Sequence, residues 1–194
     1  ETVIVTLSNP SNATLGGNDV HTYTITDNDD APTIAFTDPS SSNPESINSA
    51  DLTVDLSGPS SETITVDYTV TGTAESGADY TLVDGTLTIN ASETSGTINI
   101  SNIIDDLIDE SDETVIVTLS NPSNATLGGN DVHTYTITDN DDAPTIEFNS
   151  VSSSGDESVS SADLTVDLSG TSSETITVDY TVTGTAESGT DYTL

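Results

Sequence analysis

The sequence predicts an all-β protein built of antiparallel β-sandwiches in tandem, and three observations carry that prediction. Segments rich in Val, Ile and Thr alternate apolar with polar residues, as in LTVDL at 52–56, ITVDYTV at 64–70 and VIVTL at 115–119. Gly, Pro, Asn and Ser separate these segments, and no helical periodicity outlasts a turn. The text also repeats itself: ETVIVTLSNPSNATLGGNDVHTYTITDNDDAPTI begins at Glu1 and again at Glu113, an offset of 112 residues.

The repeat sets the domain frame. Residues 1–82 and 113–194 differ at 10 positions, seven of them between 37 and 48, where TDPSSSNPESIN becomes NSVSSSGDESVS. The other three are Ala35/Glu147, Pro59/Thr171 and Ala78/Thr190. The expected division is 1–31 as the C-terminal part of one repeat, 32–143 as a complete repeat, and 144–194 as the N-terminal part of the next, an excerpt of a longer array. Reading the 194 residues as one domain would force two half-units into a single core.

Within the complete unit, seven strands are expected near 33–37, 50–57, 63–71, 85–90, 96–103, 114–120 and 132–138. The period of two turns Leu52, Val54 and Leu56 to the core, and likewise Ile64, Val66, Tyr68 and Val70. Residues 37–48 read as a loop. His21 and His133 read as rim side chains packed in the sandwich, since one histidine per unit has no partners for zinc. Between units the linker DNDDAP has no glycine. Pro32 and Pro144 fix φ and hold Ala31 and Ala143 extended, which favours an end-to-end arrangement.

Charge excludes several functions. The chain has no Lys or Arg against 34 Asp plus Glu, so no carboxylate has a basic side chain to pair with. Nucleic acid and anionic membrane surfaces are excluded as partners, because both need cationic side chains. No apolar run is long enough for membrane insertion. Without cysteine there are no disulfides, and without lysine no isopeptide cross-link, so reinforcement has to be non-covalent. Catalysis is not expected: there is no cysteine nucleophile or phosphate-cradling glycine loop, and two Phe with no Trp leave little to stack a sugar against carboxylate pairs.

The acids are not spread evenly. Beside turns of the complete unit stand Glu45, Asp79 in GTAESGADY, the run IIDDLIDESDE at 103–113, and DND at 139–141. Two like charges about 4 Å apart repel by roughly 4 kcal/mol at an effective dielectric near 20. A hard cation such as calcium, which takes six to eight oxygens, would hold such clusters together.

At these residues the sequence resembles the Calx-beta domain, a calcium-binding sandwich of sodium/calcium exchangers and many bacterial surface proteins. The matching text is GTAESGADYTLVDGTLTI at 72–89, IIDDLIDESDETVIVTLSNPSNATLG at 103–128 and TITDND at 136–141, and the resemblance covers essentially the whole 112-residue unit. It implies an immunoglobulin-like sandwich with Ca2+ at the end facing the next domain. The ligands it implies are Glu45, Asp79, Asp105, Asp106, Glu110, Asp139 and Asp141, with an oxygen from Asn140. The matching residues outside the unit are Asp27, Asn28 and Asp29 on one side, Glu157 and Asp191 on the other. Asn140 and Leu107 stand where the exchanger domain has further acids, so fewer or weaker ions are expected here.

The function expected is a calcium-rigidified structural repeat of a long secreted or cell-surface protein, an adhesin stalk or extracellular fibre, whose partners are the neighbouring repeats. The alternatives are an adhesive module recognising a glycan or protein, and a filament subunit that self-associates laterally or end to end.

Overall fold

The computed structural model describes residues 1–194, and its regular elements are all strands. No helix is long and apolar enough to cross a membrane. Strands β1 (Thr2–Thr6) and β2 (Val20–Thr24) form an antiparallel hairpin. The central repeat follows with β3 (Thr33–Phe36), β4 (Ser40–Pro44), β5 (Ala50–Leu56), β6 (Ile64–Gly72), β7 (Gly85–Ile89) and β8 (Ser95–Ile100). It continues through β9 (Ile108–Asp109), β10 (Glu113–Ser123), β11 (Thr126–Leu127) and β12 (Val132–Thr138). The last segment holds β13 (Ile146–Phe148), β14 (Val166–Leu168) and β15 (Thr171–Ser172).

Two sheets face each other in the central repeat, one of order β4-β12-β10-β6-β7 and one of order β11-β3-β5-β8. All seven strands expected from the apolar alternation are present. The 19 buried apolar residues of the core all lie between Ile34 and Ile137, so a single repeat supplies it. Leu52, Val54, Leu56, Ile64 and Val66 are buried as the period of two requires, while Tyr68 and Val70 are half-buried at its margin. Each fully buried Val, Leu or Ile contributes about 1.5–3 kcal/mol through the apolar area it removes from water.

One strand contradicts the expected loop at 37–48. The segment Ser40–Pro44 has no apolar alternation, yet it runs parallel to β12 from Thr134↔Ser40 to Thr138↔Pro44. It pairs because the backbone edge of β12 would otherwise lie open, and backbone donors and acceptors need partners whatever the side chains. The chain changes sheets at Asp38–Pro39, passing from β3 in one sheet to β4 in the other. With the parallel pair β11–β3, this sets two parallel edges on an otherwise antiparallel sandwich. His133 secures the crossing. Its Nδ1–H donates to the Asp38 carbonyl at 2.7 Å, which leaves Nε2 to accept from the Ser41 hydroxyl at 2.7 Å. The ring is buried against Phe36, centroids 5.4 Å apart, as expected of a packed histidine.

Identical text has different burial on either side of the central repeat. Val3 pairs with Tyr23 as Val115 pairs with Tyr135, yet Val115 and Tyr135 are fully buried whereas Val3 and Tyr23 are 47% and 61% exposed. Ile146↔Leu168 likewise repeats Ile34↔Leu56 with both side chains exposed. Hairpin register is therefore local, and burial comes from the second sheet.

Gly72 brings the site's first loop into place. It lies at φ 141° opposite Val115, where a Cβ would collide with the Thr114 carbonyl oxygen. Only glycine allows that approach. The same carbonyl accepts the amides of Thr73 and Ala74 at 3.0 and 3.1 Å, turning the chain towards Asp79.

Candidate metal centre

Four elements bring acids to one end of the sandwich. β4 and β12 run in parallel and finish together, so the Glu45 amide donates to the Thr138 carbonyl at 3.0 Å and its side chain arrives beside Asp139. In the 72–82 turn, buried Tyr80 anchors the chain, and the Asp79 carbonyl accepts from the Ile104 amide at 2.9 Å. Buried Ile103 plugs the start of the acidic run into the core, its amide donating to the Asn48 carbonyl at 2.9 Å. The run then passes Asp105, Asp106 and Glu110 over the same end.

Asp139 is the hub. Its two carboxylate oxygens accept the amides of Asp141 at 3.0 Å and Glu110 at 2.9 Å, and these bonds hold its pKa below the usual carboxylate range. Its own amide donates to Asp112 at 3.1 Å. The Asn140 amide donates to Glu45 at 3.3 Å and to Asp105 at 3.1 Å, so it ties two carboxylates together as a neutral donor.

Glu45, Asp139 and Asp141 each place one carboxylate oxygen within 4.8 Å of the others. Beside them, Glu45, Asp79, Asp106, Glu110, Glu113 and Asp139 line a small cavity of about 70 Å3. Glu45 and Asp139 belong to both groups. Burial, and then Asp139, Asp106 and Asp141, raise the Glu45 pKa against a backbone bond from Asn140. Burial first and Asp106, Asp79 and Asp139 next raise Glu110. Burial, followed by Asp139, Asp105, Asp106 and Asp142, raises Asp141. Its Oδ2 is shielded from solvent and has no hydrogen-bond partner.

All eight residues implied in the central repeat thus gather at one end. Glu113 joins them although it was not among the implied ligands. Burial, contact with Asp79 and the charges of Glu110 and Glu45 push it up to about 7. The flanking candidates repeat only local features. The Asp29 amide bonds Asp27 at 3.1 Å, as Asp141 does Asp139, and Asp27, Asn28 and Asp29 line a cleft with Pro59–Glu62. Asp191 accepts the Glu187 amide at 2.8 Å, while Glu157 lies exposed on a loop.

The two-sheet sandwich has known counterparts. The family model of the Calx-beta domain matches residues 27–141 and again 139–194. The chain belongs to the Calx-beta family. The structure of this Calx-beta chain is similar to that of the apo-form Calx CBD1 domain, with 26% identity over 58% of this chain and 100% of that one and a TM-score of 0.53. It is also similar to the calcium binding domain CBD12 of CALX1.1, with 27% identity, TM-score 0.52, and coverage of 69% of this chain and 56% of that one. CBD12 from CALX1.2 gives 27% identity and a TM-score of 0.53, and the chain spans about half the length of each CBD12 structure. No curated protein matches. These likenesses agree with an immunoglobulin-like sandwich, and the acid cluster has a donor set able to hold a metal ion.

Proposed function

We propose that this chain is a calcium-binding structural repeat of a secreted or cell-surface protein, in which the ion stiffens the end of each sandwich where the next repeat departs. The observation that carries the reading is the orphaned Asp141 Oδ2, shielded from water in the midst of other carboxylates. An acceptor in that position calls for a cation, and the chain has no Lys or Arg to provide one.

The donor chemistry favours calcium. Every donor is an oxygen, mostly carboxylate, carried on several loops, and calcium accepts six to eight such ligands in adaptable geometry. Magnesium requires a tight octahedron and retains its waters. Zinc would call on cysteine or histidine, but the chain has no cysteine and His133 is bonded to Asp38 and Ser41.

On this reading Glu45, Asp139 and Asp141 form the centre of the site. Asp79, Asp105, Asp106, Glu110 and Glu113 contribute from the cavity side and the acidic run, and Asn140 turns its amide to offer the oxygen. Asp27, Asn28 and Asp29, with Glu157 and Asp191, belong to equivalent sites of adjoining repeats, each repeat running over the equivalent of 32–143. The role is mechanical rather than catalytic, and the partners are neighbouring repeats. Millimolar extracellular calcium suits modules of weak affinity, about 0.1–1 mM.

Calcium titration by calorimetry tests the reading. A saturable site of about millimolar affinity or tighter is expected, with no comparable heat from magnesium and a loss of at least tenfold in Glu45→Gln. A titration without saturation, or one that Glu45→Gln leaves unchanged, overturns the site.

A further inference from the structure

Beyond the metal centre, the acidic run makes a second contact with a different element. β15, from the repeat that follows, lies parallel to β9, pairing Thr171 with Ile108 and Ser172 with Asp109. The Ser173 amide donates to the Asp109 carbonyl at 3.0 Å. The Ser172 hydroxyl reaches the Asp109 carboxylate at 2.7 Å and its carbonyl at 3.1 Å, and the Thr171 hydroxyl reaches the Leu107 carbonyl at 3.4 Å. From the other side, the Ser111 hydroxyl donates to Glu174 at 2.7 Å. The equivalent loop of the central repeat, Pro59–Glu62, faces the Asp27–Pro32 tail of the preceding one. At that junction the loop and the tail line one cleft.

The chemistry explains why this loop is rich in hydroxyls. An acidic surface is ordinarily bound by Lys or Arg, and here neither exists. Ser and Thr hydroxyls with backbone amides are the donors left, and O–H to carboxylate bonds are charge-assisted. The Glu174 amide bonds Ser172 Oγ at 3.1 Å as the Glu62 amide bonds Ser60 Oγ at 3.0 Å, so each loop is shaped before it docks.

We propose that residues 171–174 form a docking element through which a repeat recognises the acidic run of the repeat before it without a bound ion, and that the residue at 171 sets how firmly the junction closes. Threonine there supplies the hydroxyl to Leu107. Proline, its counterpart at position 59, has neither hydroxyl nor amide hydrogen. Junctions of one array thus differ in stiffness by a single residue. The inference stands apart from the calcium reading, because Asp109 is outside the proposed ligand set.

Cysteine cross-linking tests it in the 194-residue chain, which has no cysteine of its own. Paired strand neighbours suit disulfide geometry, with Cα atoms about 5.5–6 Å apart. Under mild oxidation in chelator, the pair Leu107→Cys/Gly170→Cys, one step before the Ile108–Thr171 pairing and leaving every docking hydroxyl and carboxylate in place, is expected to close within one molecule at least tenfold faster than the reference pair Leu107→Cys/Ser158→Cys. Adding Thr171→Pro is expected to slow closure several-fold, and Pro59 shows that the loop accepts proline. Unchanged melting of the central repeat in each variant establishes that it is folded. Closure no faster than the reference pair, or closure only when calcium is present, overturns ion-independent docking. A rate insensitive to Thr171→Pro overturns the grading by residue 171.

Discussion

Asp141→Asn is expected to raise the melting temperature of the metal-free protein and to lower that of the calcium-loaded protein. The two signs come from one atom. Without an ion, Asp141 Oδ2 is an unpartnered acceptor on a carboxylate grouped with those of Glu45 and Asp139, and burial together with the charges of Asp139, Asp105, Asp106 and Asp142 works against its ionised form. Asparagine removes the charge and can turn a donor towards those carboxylates, so the repulsion falls. With calcium present the same oxygen is a ligand, and its loss weakens the ion. A native-only ligand at a hundred times its dissociation constant stabilises by about 2.7 kcal/mol, or about 10 °C for a domain of this size. Most of that gain should vanish in the variant. Melting curves in chelator and in millimolar calcium measure both signs. A variant that is less stable in both conditions would identify Asp141 as a structural residue only.

The stability of the metal-free protein is expected to fall as pH rises from about 4.5 to above 7. Glu113 drives this through its pKa, pushed up from 4.5 to about 7 mainly by burial and by Asp79. A carboxyl that titrates higher in the folded than in the unfolded state contributes stability in full below the unfolded value and loses it as pH climbs through the folded value. Glu45, Glu110 and Asp141 are raised and act in the same direction. Asp139 is lowered and opposes them only at more acidic pH, where its stabilising ionisation is lost. Urea midpoints in chelator from pH 4.5 to 8 should therefore decline, and Glu113→Gln should flatten the decline. Calcium binding near neutral pH should also release protons, since ligands bind deprotonated. A midpoint that stays level or rises across this interval would show that Glu113 does not titrate above its unfolded value.

The strands were legible because the core imposes a period of two on Val, Ile and Leu. β4 was not, because SSSNP contributes backbone to the β12 edge and no side chain to the core. The same distinction separates the acids. Glu45, Asp79 and the DND segment stood out as clusters beside turns. Glu113 stands in the acidic run read from the sequence but outside the implied ligand set, although Val115, Val117 and Leu119 point inward and the alternation carries Glu113 to the same face at the strand's start. An acid on an apolar stripe is costly unless it is protonated or paired, so that position marks it for the site. The contact of β15 with β9 had no sequence signature, since a hydroxyl-rich loop shows no period and its partner lies in another repeat.

Thermal unfolding of the chain at neutral pH in millimolar calcium, in millimolar magnesium and in chelator decides whether the acid cluster is a calcium site linked to folding. A calcium-specific rise of about 10 °C is expected in the transition of the central repeat, with magnesium close to chelator. Three coincident curves would contradict it, and the acids at the end of the sandwich would then be solvated surface.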